Sequence, residues 1–141
     1  MRTNRRVNAL GAVLVLALLL PACGDDNPTS SDGTPSNVTR TTETFTGTLT
    51  SRSAVWHTFT VAANGTVDAT LTTLDPVATL TVGLGIGTLP TNGCSVQAWN
   101  NAATSGTLLS GSIVPGTFCV TVYDVGNVTD AVTYTVTVTH P

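Results

Sequence analysis

Charged side chains are scarce in this chain of 141 residues, and lysine is absent altogether. Arginine, aspartate and glutamate together make up 9% of the sequence, and aromatic residues only 5%. Beyond residue 22 there are two arginines and all eight acidic residues, so residues 23–141 carry a net charge near −6. Nucleic acids and acidic lipid headgroups are bound by clustered cations. The composition therefore argues against both partners.

Long apolar runs are also absent, except near the N-terminus. Three arginines, Arg2, Arg5 and Arg6, precede an unbroken apolar stretch over residues 9–20, and Pro21-Ala22-Cys23 follows it. This order of charge, apolar core and small residues is typical of a secretory signal peptide. As a helix, twelve residues rise about 18 Å, which is too short for a hydrocarbon core of about 30 Å. The sequence thus predicts a cleaved leader over residues 1–22.

The motif Leu20-Pro21-Ala22-Cys23 resembles the lipobox of bacterial lipoproteins. The resemblance implies that Cys23 is lipidated, that cleavage occurs just before it, and that the chain is held at the bacterial cell envelope, periplasmic or surface-exposed. Two or more acyl chains give stable membrane anchoring. An ordinary signal peptide with a chance cysteine is the alternative.

Residues 23–42 are rich in Ser, Thr, Pro, Asn and Asp, with few apolar side chains. Such segments cannot bury enough apolar surface to fold, so this stretch is interpreted as a flexible linker. From residue 43 to 141 the apolar residues recur with a period of two, as in Thr133-Tyr134-Thr135-Val136-Thr137-Val138-Thr139. We expect one folded domain over residues 43–141.

Alternation of this kind, interrupted by turn sequences and without any helical period, predicts an all-β domain. The expected fold is a single antiparallel β-sandwich, jelly-roll-like, with about seven strands. The predicted strands are residues 44–49, 55–61, 66–74, 79–86, 108–114, 117–125 and 133–139. The predicted core is Phe45, Leu49, Phe59, Val61, Leu71, Leu80, Val82, Leu84, Ile113, Phe118, Val120, Val122, Tyr134, Val136 and Val138.

Cysteine is limited to three residues, and Cys23 is assigned to the lipid. In an exported chain the remaining two, Cys94 and Cys119, are expected to form a disulfide. The alternative is a pair of free thiols.

Two stretches resemble the bacterial pre-peptidase C-terminal domain, a small β-sandwich. The first is Val55-Trp56-His57-Thr58-Phe59-Thr60-Val61 with its following Asn64-Gly65 turn, and the second is Gly116-Thr117-Phe118-Cys119-Val120-Thr121-Val122. The resemblance implies a non-catalytic module, since members of this family are described as secretion-associated or substrate-binding. Some bind calcium, collagen or polysaccharide.

Candidate catalytic residues are few. The chain has no nucleophile-elbow motif, and His57 is in phase with Phe59 and Val61, which favours a packing role. We therefore expect no enzyme and no cofactor. Asp124, Asn127 and Asp130 place three oxygen donors within seven residues, a weak candidate for calcium. The alternative is a solvated turn in which these side chains satisfy local backbone groups.

Trp99, Asn100 and Asn101 are the predicted ligand-binding residues. They lie in residues 93–105, which we expect to be an irregular stretch tied to a strand through Cys94. An indole beside two amides suits stacking on a sugar or contact with a protein. Alternatively, Trp99 folds back over an open edge, and Trp56 is expected to be structural. The predicted function is an envelope-anchored, non-catalytic module for a polysaccharide or protein ligand. The alternative is a structural or assembly component of the envelope acting through protein–protein contacts.

Overall fold

The computed structural model describes residues 38–141. The predicted leader, the lipidation site Cys23 and most of the linker lie outside the described residues. Within the described part, no helix has the length and apolar character needed to cross a membrane.

The described chain forms eight strands and no helix. Their bounds are β1 Thr41–Leu49, β2 Ala54–Val61, β3 Gly65–Asp75, β4 Val82–Thr88, β5 Ser95–Ala103, β6 Thr107–Ile113, β7 Gly116–Tyr123 and β8 Val132–His140. Because β1 begins at Thr41, the last two residues of the predicted linker belong to this strand.

The strands pair into two antiparallel sheets of four. The first sheet has the order β1-β8-β3-β6, and the second has the order β2-β7-β4-β5. Every connection crosses from one sheet to the other except the β4–β5 hairpin. This order is that of a jelly roll, in which two sheets enclose one core. The predicted β-sandwich is confirmed.

Strand β8 illustrates why the sequence folds in this way. Its burial alternates along Val132–His140, with Tyr134, Val136 and Val138 buried and the intervening threonines turned outward. Side chains on a strand point alternately to opposite faces, so one face joins the core and the other meets solvent. Full burial of a Val or Leu side chain stabilises the fold by about 1.5–3 kcal/mol.

Every residue of the predicted core is buried or packs against the buried cluster; Phe45, Leu80 and Phe118 are the partly buried ones. The core also contains residues that the alternation did not single out. These are Val67, Ala69, Leu74, Ile86, Ala103, Val128 and Val132.

The structure has one strand more than the seven delimited in the sequence, because the stretch 93–105, which was expected to be irregular, is not. It contains β5, which pairs with β4 along one edge of the second sheet. The register shifts twice within this pairing, and each shift places an extra residue on β5. A bulge reverses the in-and-out pattern of the residues that follow it, so two bulges remove the period of two. Strand β4 also begins later than predicted, at Val82.

Candidate functional site

Two exposed tryptophans lie on the outer face of the second sheet. Trp56 on β2 pairs with Thr121 on β7, Thr121 pairs with Gly85 on β4, and Gly85 pairs with Trp99 on β5. Residues directly opposite each other in antiparallel strands project to the same face. The row therefore carries an indole at each end, about 14 Å apart across three strand spacings. Trp56 is 44% exposed and Trp99 60% exposed.

Glycines occupy the outward-facing positions of β4, in the middle of this face. Along Val82–Thr88, the residues Gly83, Gly85 and Gly87 alternate with the inward-facing core residues of β4. Neighbouring side chains occupy the space that a Cβ would need: the ring of Tyr123 lies over Gly83, and Val96 lies over Gly85. Only glycine permits such close approach of side chains to the strand.

The ring of Tyr123 is held in place by a hydrogen bond across β4. Its hydroxyl donates to Oδ1 of Asn101 on β5 at 2.5 Å. Burial raises the pKa of Tyr123 above its ordinary value, so the hydroxyl stays protonated at neutral pH. Because its Oδ1 is occupied, Asn101 keeps its amide N–H groups for another partner.

Part of this face forms an open concavity of about 570 Å³, which we call the aromatic groove; Trp99 and Asn101 lie on the same sheet face but are not among its lining residues. Trp56 lines one side, Thr121 and Tyr123 lie on β7, and Val96 lies on β5. The lining residues are Arg52, Ser53, Ala54, Trp56, Gly93, Cys94, Val96, Thr121, Tyr123 and Asp124. The groove thus combines aromatic and aliphatic surface with a few polar groups, as binding sites for small molecules and sugars commonly do.

One end of the groove is fixed by the carboxylate of Asp124. Oδ2 accepts the N–H of Arg52 at 2.8 Å, and Oδ1 accepts the N–H groups of Gly126, Asn127 and Val128 at 2.7, 2.9 and 3.0 Å. These backbone bonds, that of Arg52 foremost, hold the pKa of Asp124 at about 2. The carboxylate is therefore ionised at neutral pH and joins the β1–β2 turn to the β7–β8 connection.

The other end is fixed by a disulfide. Cys94 and Cys119 are bonded, as predicted, with their Cα atoms 5.8 Å apart. The bond attaches the segment before β5 to β7 and so holds Gly93 and Cys94 in the groove wall.

The three predicted ligand-binding residues do not all share one face. Trp99 and Asn101 lie on the outer face of the second sheet, because Trp99 pairs with Gly85 and Asn101 bonds Tyr123. Asn100 pairs with the core residue Leu84 and projects to the opposite side. Its Oδ1 accepts the N–H of Ala102 at 2.8 Å, which stabilises β5 locally.

Sequence reasoning did not place Trp56, Tyr123 or Arg52 in the site. Trp56 was assigned a structural role, yet nearly half of its side chain is open to solvent beside the groove. The alternating glycines of Val82–Thr88 are the signal that could have revealed this face. A strand with three glycines on one side leaves room there for its neighbours' side chains.

The weak calcium candidates are hydrogen-bonded to protein groups. Backbone N–H groups occupy the carboxylate of Asp124, Nδ2 of Asn127 donates to the carbonyl of Thr81 at 3.1 Å, and Asp130 accepts the hydroxyl of Thr129 at 3.3 Å. This is the arrangement of the turn alternative. Among residues 38–141, no three His, Cys, Asp or Glu side chains group so as to hold a metal ion.

The titratable residues weighed for catalysis lie apart from one another. His57 faces the core, stacks on Phe45 at 5.0 Å between ring centroids, and shares a hydrogen bond of 2.8 Å with the hydroxyl of Tyr134. Burial lowers the pKa of His57. Asp68 lies on the outer face of the first sheet, where it binds Arg40 and Ser110 at 2.6 Å each.

Comparison with known proteins adds no relative. No family model matches the chain, and no curated protein is significantly similar to it. The resemblances to the lipobox and to the pre-peptidase C-terminal domain therefore stay predictions.

Proposed function

We propose that the chain is an envelope-anchored lipoprotein whose β-sandwich binds polysaccharide, without catalysis, through the aromatic groove and Trp99 on the same sheet face. The observation that carries the proposal is the pair of exposed indoles, Trp56 and Trp99, at the two ends of one row on the outer face of a sheet. Burying two indoles on a ligand would be favourable, whereas leaving them in water is not.

The chemistry of a sugar chain suits this surface. Indole rings present a broad apolar face, against which the C–H face of a sugar ring packs, while the sugar hydroxyls at the ring edge need polar partners. The amide N–H groups of Asn101 offer such a partner beside Trp99. The spacing of about 14 Å between the two strands that carry the indoles would let a linear chain of several sugars contact both.

A non-catalytic role is supported by the partners of the titratable side chains. His57 bonds Tyr134, Asp68 bonds Arg40, and Asp124 accepts backbone N–H groups. A glycosidase would need two carboxyl groups converging on one glycosidic bond. Among the groove-lining residues the single carboxylate is that of Asp124.

Anchoring is supported by the Leu20-Pro21-Ala22-Cys23 motif alone, which lies outside the described residues. Lipid at Cys23 would hold the module at the membrane, and the linker would let it reach ligand nearby. The intact mass of membrane-extracted protein should exceed that of the polypeptide from Cys23 by the mass of the acyl groups. A Cys23→Ala variant should lose this mass and leave the membrane fraction. A parent mass without acyl groups contradicts anchoring.

Binding is tested by depletion of the purified chain from solution over insoluble polysaccharides and collagen. Trp56→Ala and Trp99→Ala should each reduce capture by a polysaccharide, by roughly tenfold for loss of a stacking contact worth about 1.4 kcal/mol. Leu108→Ala is the matched control, because Leu108 is 56% exposed on the outer face of the first sheet.

Equal capture of all variants would place the binding site outside the aromatic groove. Capture by no polysaccharide, together with a defined oligomer in solution, would favour the structural role acting through protein–protein contacts.

A further inference from the structure

Arg52 is held in the groove in a conformation that a residue with a Cβ rarely adopts. Its φ of 58° lies in the left-handed region, where glycine, asparagine and aspartate are usual. Its N–H donates to Asp124, and the hydroxyl of Ser53 accepts from and donates to the backbone of Thr50 within the same turn. The surrounding bonds thus over-determine the conformation, which is how strained residues persist at functional positions.

The guanidinium of Arg52 has no carboxylate partner among residues 38–141. The other arginine in this part of the chain, Arg40, is bound by Asp68 at 2.6 Å. Arg52 lines the groove together with Trp56 and Tyr123. A cation without a partner, set beside an aromatic wall, is suited to an anionic ligand.

Negative charge is largely kept away from this groove. Asp68 and Asp75 lie on the outer face of the first sheet, and Glu43 binds His140 at 3.0 Å. Asp130 lies in the β7–β8 connection, beside Pro76 and Leu80. The one acid in the groove is Asp124, whose ionised carboxylate accepts four backbone N–H groups.

We propose that the aromatic groove binds an acidic polysaccharide, in which Arg52 pairs with the carboxylate of a uronate residue while neighbouring sugars stack on Trp56. This inference rests on the proposed function and specifies its ligand. The planar guanidinium matches a carboxylate with two parallel N–H···O bonds. A densely sulfated polymer is disfavoured, because it carries more anionic groups per sugar than a polyuronate, and residues 23–141 have a net charge near −6.

The test uses Arg52→Gly, because glycine adopts a φ of 58° without strain and the fold is retained while the guanidinium is removed. The probes are polygalacturonate and its methyl ester, which share a backbone and differ in charge. For the parent chain, we expect tighter binding to the acid than to the ester, weakening with salt.

Arg52→Gly should weaken binding to polygalacturonate by about 10- to 100-fold, the factor for hydrogen bonds to a charged group, and remove its salt dependence. Binding to the ester should not change. Arg52→Lys should restore only part of the affinity, because the ammonium lacks the planar fork.

Three outcomes separate the two proposals. Equal binding of acid and ester by both parent and Arg52→Gly overturns the uronate assignment and leaves polysaccharide binding intact. If Arg52→Gly loses as much affinity for dextran sulfate as for polygalacturonate, the uronate assignment is also overturned, because Arg52 would then bind any polyanion. Failure of the parent to bind either polymer, with Trp56→Ala indistinguishable from it on every matrix, overturns the proposed function itself.

Discussion

Asp124 joins two connections of the sandwich through one side chain. Its carboxylate accepts N–H groups from Arg52 in the β1–β2 turn and from Gly126, Asn127 and Val128 in the β7–β8 connection. A backbone hydrogen bond joins the same two segments, since the N–H of Asp124 donates to the carbonyl of Ser53 at 2.9 Å. The groove end is therefore positioned by hydrogen bonds from both connections.

The pH dependence of stability should reveal this clamp. The folded pKa of Asp124, about 2, lies below its ordinary value of 3.8. A depressed pKa contributes stability that is present above the ordinary value and is lost as the pH falls from about 3.8 towards 2. Urea unfolding at neutral pH should show a lower midpoint for Asp124→Asn than for the parent, and the two midpoints should converge near pH 2.

Asp130→Asn is the control, since the side chain of Asp130 makes a single hydrogen bond among the described residues, to the hydroxyl of its neighbour Thr129. Its midpoint should follow that of the parent throughout. A constant gap between the parent and Asp124→Asn down to pH 2 would contradict an ionic clamp.

At the scale of one element, β4 shows how a strand can serve the core on one side and the proposed binding face on the other. Val82, Leu84 and Ile86 point into the sandwich, while the intervening glycines let Tyr123 and Val96 lie flat across the other side. Glycine weakens a strand interior by loss of packing and by entropy. Here the side chains of adjacent strands provide the missing packing.

Gly83→Ala should displace the ring of Tyr123, because the new Cβ would overlap it. The hydrogen bond to Asn101 would break and the ring would move into solvent. We expect the pKa of Tyr123 to fall back towards 10, and a destabilisation of about 1–3 kcal/mol, as for overpacking. Phenolate absorbance measures the pKa directly. The only other tyrosine, Tyr134, titrates at about 12 because of burial, and serves as internal reference.

Gly111→Ala on β6 is the matched control, since a Cβ there meets no atom within 4 Å. Its tyrosine titration should equal that of the parent. An unchanged titration of Gly83→Ala as well would mean that the ring of Tyr123 does not rest on β4.

Some strands could be predicted from the sequence, and β5 could not. Strands β8 and β7 could be predicted because apolar residues alternate with other residues along each of them. The apolar positions, such as Val136 and Val122, therefore indicate the face that points into the core. Strand β5 could not be predicted, because its two bulges place Ala98 opposite the core residue Ile86 and bury Ala103 five residues later, an odd spacing. The role of Trp56 depends on which residues stand opposite it on β7, and register between distant strands is not written in a local pattern.

Among the turns, too, one could be predicted from the sequence and another could not. An Asp followed by Gly126-Asn127 predicts a loop whose side chains bond the backbone, and Asp124 behaves so. The left-handed conformation of Arg52 gives no such signal, because arginine is unusual there and the stabilising bond comes from a residue 72 positions away.

At the scale of the whole described domain, the two outer faces differ in chemistry. The face of the first sheet carries in-register threonines of β1 and β8, such as Thr44 opposite Thr137, together with Asp68 and Asp75. The face of the second sheet carries the indoles, Tyr123 and Arg52. Charge and hydroxyls thus keep one side solvated, while the other presents more apolar surface.

The disulfide holds the wall of the aromatic groove and also contributes to the free energy of unfolding of the whole domain. Cys94 and Cys119 close a loop of 25 residues, which the chain-entropy relation converts into about 3.5 kcal/mol. A domain of this size has a total of about 5–15 kcal/mol. Replacing both cysteines with serine should therefore remove a large part of the free energy of unfolding, measured by urea denaturation of the full chain.

The same replacement should also loosen the groove wall at Gly93 and Cys94, because the segment before β5 would then be held to β7 only through β4. Native-state hydrogen exchange should rise more in residues 89–97 than in β8, because the segment before β5 loses its own attachment, whereas β8, in the other sheet, is affected only through the lower free energy of global unfolding. The parent under reducing conditions should match the double serine variant. If exchange increased equally in both sheets, the bridge would stabilise the sandwich as one unit, and the groove wall would owe its order to β4 instead.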